Sequence, residues 1–277
     1  MFVPSWSNYA THDDAEYPQL WDGCVGAVCP GLGPSGDLFN LACLQGPQRI
    51  PLQVGTYADT WKMVGGQWVI DINSTTGNYF SGMMTPGPRT KKTASVVMRQ
   101  AWVGTQPGSC NYGYSCSRYQ TYAGFDMSFF LQENPNPATA TIGFQGLYGN
   151  ASAGAPGIVA GDGVFKNLAG RVFEAANFLD MFVDGRRGTS FGNYYDLTNY
   201  GDTWPWYIGR GANPAYAYFN GYIHSLYVYD RVLSVDEIRL FNENPMANFI
   251  PRTARTNRTF SFGDLTTSRR RRLLLAT

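Results

Sequence analysis

Apolar and polar residues alternate in short runs through most of this chain. GGQWVIDI (65–72) and ASVVMRQAWVG (94–104) alternate as strands do. AGFDMSFFLQ (123–132) sets Phe125, Met127, Phe129 and Leu131 on one face, and TIGFQGL (141–147) reads as the next strand. A loop rich in Gly and Ala (149–164) separates these from FLDMFVDGRRG (178–188). There Leu179, Met181 and Val183 share a face, and Asp184-Gly185 offers a tight hairpin turn. WYIGRG (206–211) is a short strand ending on glycines. YFNGYIHSLYVYDR (218–231) is a long strand, with Leu226 and Val228 opposite Tyr227 and Tyr229. Ser234-Val235-Asp236-Glu237 fits a capping box ahead of a short helix, Val235 to Phe241, which Ile238 and Phe241 pack back onto the sheets.

Composition sharpens this into an all-β expectation. Of 277 residues, 15% are charged, against about 25% in an average soluble protein; 15% are aromatic, with 32 Gly and 16 Pro. That excludes a coiled coil, a helical bundle and a disordered acidic chain, and favours many short strands joined by turns. No solenoid or propeller repeat is visible, and no stretch approaches the roughly 20 apolar residues needed to cross a bilayer. The partition expected is an extended N-terminal arm (1–18), a sandwich (19–245) and a basic C-terminal arm (246–277). The last segment carries Arg252, Arg255, Arg258 and Arg269, Arg270, Arg271 and Arg272 against Asp264 alone, about +6, which leaves residues 1–245 at about −5. The N-terminus has no basic region followed by an apolar core. The chain is therefore expected to be made in a host cytoplasm without a signal peptide.

YIGRGANPAYAYFNGYIHSLYVYDRVLSVDEIRLF (207–241) carries a resemblance. Ile208-Gly209-Arg210, Phe219-Asn220-Gly221-Tyr222-Ile223, Tyr229-Asp230-Arg231 and Leu233-Ser234-Val235-Asp236-Glu237-Ile238 are similar to the late strands and small helix of laminin G-like domains. LDMFVDGRRG resembles the hairpin of that family, and GGQWVIDINSTTGNYF (65–80) its early strand pair, without the DG and ND elements. YPQLWDGCVGAVCPGLGPSG (17–36) is similar to openings of such domains in phage and aquatic bacterial proteins. The resemblance, over about residues 17–249, implies a concanavalin A-like (laminin G-like) jelly-roll sandwich with a short C-terminal helix and extended terminal arms. It specifies the fold more than the function, because this sandwich hosts lectins, adhesive modules, glycosidases and capsid attachments.

Each of those functions calls for its own side-chain chemistry. Five cysteines (Cys24, Cys29, Cys43, Cys110 and Cys116) without a secretory signal read as buried thiols, with Cys110 and Cys116 flanking a loop that could close on oxidation. Histidines are limited to His12 and His224, so zinc is not expected. Calcium would draw on Asp71, Asp162 and Asp202, too few for six to eight oxygens. Glycosidases of this fold place paired carboxylates on one strand as E-x-D; no E-x-D occurs, leaving Glu174, Asp180, Asp184 and Asp236-Glu237 as scattered candidates. Tyr194, Tyr195, Tyr200, Trp204, Trp206, Tyr216 and Tyr218 cluster near one rim, as a stacking platform for a sugar or as packing and subunit contacts. The arginine run could contact phosphates. Leu273-Leu274-Leu275 follow at once, however, and point to a protein groove rather than nucleic acid.

The expectation is a non-enzymatic virion structural protein without cofactor or metal: a capsid decoration, head-fibre or related surface protein of a tailed phage. It would assemble as a homo-oligomer or onto the major capsid protein, with host-surface glycans as further partners and no membrane. The alternative is a free carbohydrate-binding lectin-like module, and after it a divergent glycosidase.

Overall fold

The computed structural model describes residues 4–43, 47–53, 60–72, 79–84, 93–103, 110–116, 127–132, 141–146, 162–173, 178–188, 204–210 and 219–252. Of these, 82–84, 93, 110–116, 127–132, 141–146, 172–173, 178–179 and 204–205 are described by their backbone alone. Strands dominate, and the helix expected at Val235 is α1 (Val235–Glu243).

Two antiparallel sheets form the body. The larger runs β13 (Arg186–Arg187), β12 (Phe178–Val183), β11 (Lys166–Phe173), β7 (Thr93–Trp102), β15 (Gly221–Tyr229), β5 (Gln67–Ile72) and β4 (Trp61–Val64), and β1 (Cys24–Val28) adds to β15. The smaller runs β10 (Thr141–Gly146), β9 (Met127–Gln132), β8 (Cys110–Cys116), β14 (Trp204–Ile208) and β6 (Phe80–Met84). β2 (Leu38–Asn40) and β3 (Gln48–Ile50) pair with each other beside the larger sheet.

The alternation read in the sequence sorts residues between two cores. Val96, Met98, Met181, Val183, Leu226 and Val228 meet Phe80, Trp206 and Ile208 between the sheets. Their odd-numbered neighbours Val97, Tyr227 and Tyr229 face the other way, with Ala169 and Phe182, and are buried as well. The larger sheet is thus covered on both faces, and that is why β15 reads as a nearly continuous apolar run. The second cover is α1 together with residues 4–21, residues 29–32 and the turn Ala247–Phe249.

That cover changes the expected partition. The segment read as an extended N-terminal arm is bonded to its own chain from Trp6 onward. Trp6 N donates to Leu32 O (2.8 Å), Ala10 N to Phe249 O (3.0 Å) and Glu16 N to Ile250 O (2.7 Å), and Ala15 bridges Pro251. Asn248, fully buried, accepts from Trp21 Nε1 on its carbonyl (2.9 Å) and donates from Nδ2 to Leu20 O (3.2 Å). Ala10, Ala15, Leu20 and Trp21 are buried, so residues 4–21 are part of the domain. The stretch carries no alternation to mark it, and its bridge partner, Pro251 for Ala15, lies far away in sequence, where local patterning does not reach.

The stretch between Cys110 and Cys116, expected as a loop, is strand β8, paired with β9 and β14. A strand of this length separates its ends by about 20 Å, which rules out a disulfide between them in this fold. Tyr112 and Tyr114 straddle a bulge, and this breaks the period-two signal that would have marked the strand.

Candidate functional site

Among the predicted sugar-stacking aromatics, the structure settles one. Trp206 is 2% exposed and sits between the sheets against the residues of β5, β7 and β15, so its ring has no free face for a ligand. The backbone of Trp204 lies in β14 opposite Met84. Tyr194, Tyr195, Tyr200, Tyr216 and Tyr218 lie outside the described residues. Trp206 points inward by parity: in β14 it shares the core face with Ile208, and Tyr207 takes the opposite one.

Tyr207 leads to a cluster that the sequence did not single out. The Arg210 guanidinium lies 3.9 Å from the Tyr79 ring centroid and 4.8 Å from that of Tyr207. The two rings are 6.4 Å apart and tilted by 48°. β14 delivers Tyr207, Gly209 turns the chain with a φ of 92°, and Arg210 folds back over the rings. Tyr79 arrives from the start of β6, whose Ser81 pairs with Tyr207. The register continues the row across the smaller sheet through Ser115, Ser128 and Gln145. A guanidinium laid against two aromatic rings is held in place by cation–π attraction. The signal available in sequence was the I-G-R motif, which marks Arg210 but says nothing of Tyr79, 131 residues earlier.

The carboxylates weighed for catalysis are otherwise engaged. Asp180 has no exposed surface and accepts from Arg171 Nη2 and from Arg187 Nε at 2.9 Å. Glu237 closes the capping box on Ser234 and pairs with Arg231; these contacts hold its carboxyl below the usual range despite partial burial. Asp184 occupies the hairpin turn at φ 49°, accepting from Asn167 N at 2.9 Å. Asp236 pairs with Arg239 on the surface. Glu174 lies outside the described residues.

The cation candidates are equally dispersed. Asp71 pairs with Lys62 at 3.2 Å, Asp162 accepts from Val164 N, and Asp202 lies outside the described residues. No three His, Cys, Asp or Glu side chains converge among the described residues. Burial pushes the thiols of Cys24 and Cys29 up to about 12, so both stay protonated and inert. His224 is 5% exposed on β15, at the bulge between Ile223 and Ser225. Burial, with Arg99 nearby, lowers its pKa to about 3.

Of the arginines assigned to partner contacts, Arg252 is exposed at the end of the domain; Arg255, Arg258 and Arg269 to Arg272 lie outside the described residues. Arg252 forms one wall of an open groove of about 710 Å³, opposite Asn8, Tyr9, Thr11, Asp13 and Asp14. Sequence reasoning missed this groove, because its two walls are the two ends of the domain.

Comparison with known proteins agrees with the architecture. Residues 100–239 match the family model described as the Concanavalin A-like lectin/glucanases superfamily. Among solved structures, domain 4 of the GH43 extracellular arabinanase AbnA from Geobacillus stearothermophilus, in complex with arabinotriose, aligns with TM-score 0.56 at 13% identity, over 79% of this chain and 98% of that one. The binding domain of botulinum neurotoxin DC in complex with SialylT gives 0.53 at 10% identity, over 80% of this chain and 51% of that one. Trypanosoma rangeli sialidase gives 0.52 at 11% identity; the chain covers 32% of its length. No curated protein matches by sequence.

Proposed function

Because the chain belongs to the concanavalin A-like lectin/glucanase superfamily, we propose that it is a non-enzymatic adhesion module that binds carbohydrate. The observation that carries this reading is Arg210 laid over the rings of Tyr79 and Tyr207 just beyond the end of β14. A guanidinium fixed against aromatic rings suits an acidic glycan. The fixed positive charge would attract the carboxylate, and the sugar body would lie beside Ser81. Two structural neighbours, the arabinanase domain and the neurotoxin binding domain, are described in complex with arabinotriose and SialylT, which supports the ligand class. The engagement of Asp180, Asp184 and Glu237 in structural bonds supports binding without hydrolysis.

A glycan array on the full chain tests this. Binding of acidic glycans that falls at least tenfold in Arg210→Ala, with the fold intact by circular dichroism, is the expected result. Unchanged binding in that variant, or release of reducing sugar from a bound glycan, would refute it.

The charge division favours a setting for this module. A segment of about +6 attached to a body of about −5 suits assembly into a homo-oligomer or onto a capsid shell, as a decoration on a virion surface. Light scattering should then show oligomers that dissociate as salt rises, and deletion of residues 253–277 should leave a monomer.

A further inference from the structure

The groove between the two ends of the domain has the construction of a ligand site. Of the rings packed at this end of the domain, Tyr9 lines the groove, and the others hold it in place from behind. Tyr9 lies 5.5 Å from Trp6 and edge-on to Phe249 at 5.9 Å; Phe249 meets Trp21 at 5.5 Å, and Trp21 stacks on His12 at 4.9 Å. His12 takes a left-handed backbone (φ 50°), rare for a residue with a side chain, and the short turn it opens presents Asp13 and Asp14. The lips are polar and uncommitted. Among the described residues, the carboxylates of Asp13 and Asp14 and the guanidinium of Arg252 enter no ion pair, in contrast to Asp37, Asp71, Asp180 and Glu237, each matched to a lysine or arginine. Asn8 accepts from Ser5 on Oδ1, and its amide nitrogen has no partner among the described residues. At about 710 Å³ the groove has the volume of a small-oligosaccharide site.

We infer that this groove is a second carbohydrate site, distinct from the face around Arg210, and that it takes neutral or amino-bearing sugars and rejects acidic ones. Carboxylates accept from vicinal hydroxyls or an ammonium, the asparagine amide and Arg252 donate to sugar oxygens, and Tyr9 supplies apolar surface for a pyranose face. Two carboxylates against one guanidinium leave the groove negative, so a uronic acid meets repulsion where a glucosamine meets attraction. The inference shares the carbohydrate-binding reading proposed above but places its ligand on the opposite side of the larger sheet.

The test titrates the full chain with three probes: a glucosamine trisaccharide, its N-acetylated form and a galacturonate trisaccharide. Isotope-labelled protein allows the amide shifts to be followed by NMR. The first two should shift residues 8–14 and 251–252, with the free amine binding several-fold more tightly and losing that advantage at high salt. The double variant Asp13→Asn, Asp14→Asn should weaken the glucosamine trisaccharide at least tenfold, and Arg210→Ala should leave its affinity unchanged. The substituted side chains are exposed, and an unchanged melting temperature will show that the fold is kept. Shifts confined to Tyr79, Tyr207 and Arg210 would overturn the groove and leave the first reading standing. The absence of binding by every probe and by the array would overturn both.

Discussion

Asp180 and Arg171 form a buried ion pair on adjacent strands of the larger sheet, directly opposite each other in the β11–β12 register. Arg171 also donates to Leu233 O at 2.9 Å, and its guanidinium covers the Phe182 ring at 5.0 Å. The pair therefore ties β12 to the turn leading into α1. Removing one partner leaves an uncompensated charge in the covered face, which costs about 3–5 kcal/mol. Asp180→Ala should lower stability by that order in urea unfolding. The same substitution in a glycosidase would abolish hydrolysis with little loss of stability. A stable Asp180→Ala variant would show the pair to be dispensable and reopen a chemical role for the carboxylate.

His224 makes stability depend on pH. Its native pKa of about 3 lies below the unfolded value of 6.5, so between those two pH values the unfolded chain binds a proton that the native chain refuses. Stability contributed by the neutral ring is complete above pH 6.5 and is lost progressively as pH falls toward 3. Glu237, lowered by Arg231, begins to release stability only below about 4.5, so the histidine acts ahead of it. The midpoint of urea unfolding should fall between pH 6.5 and 4.5, and His224→Gln should flatten that slope. An equal slope in the variant would assign the acid sensitivity to other groups.

The fold was legible where period two survives. Gln67–Ile72, Phe178–Val183 and Gly221–Tyr229 fall inside runs read from alternation, Thr93–Trp102 begins one residue before its run, and Asp184-Gly185 and the Ser234–Glu237 box announced the hairpin and the helix from local chemistry alone. What stayed hidden depends on distant partners. Trp206 looked like a rim aromatic because two tryptophans around a proline carry no clear inward face until β14 is set between β6 and β8. Tyr79 and Arg210, or Asp14 and Arg252, become neighbours only through the topology.

Arg231 joins three elements through one guanidinium. Nε donates to Asp22 O (2.6 Å), Nη2 to Gln19 O (3.0 Å), and both terminal nitrogens reach Glu237 (3.0 and 2.6 Å). A lysine cannot reproduce that planar fork. Arg231→Lys should cost about 1–2 kcal/mol, discounted for partial exposure, and should speed amide exchange in residues 17–22 ahead of the central strands. Ser234→Ala should cost about 1 kcal/mol by loss of the cap. Because Glu237 serves both contacts, the double variant should lose less than the sum of the two.

Gln100 offers the opposite sign of change. It lies on β7 opposite Ile223, with its side chain in register with the core-facing Met98 and Trp102, and it is fully buried. Neither its amide oxygen nor its amide nitrogen has a hydrogen-bond partner among the described residues. An orphaned amide in such a place costs about 1–3 kcal/mol of desolvation that an apolar side chain avoids. Methionine has nearly the same length and volume and bends to fill an irregular space. Gln100→Met should therefore raise stability by about 1 kcal/mol and leave glycan binding unchanged. A loss of stability instead would mean that ordered water between the sheets bonds to the amide, and a high-resolution crystal structure would show that water beside Gln100.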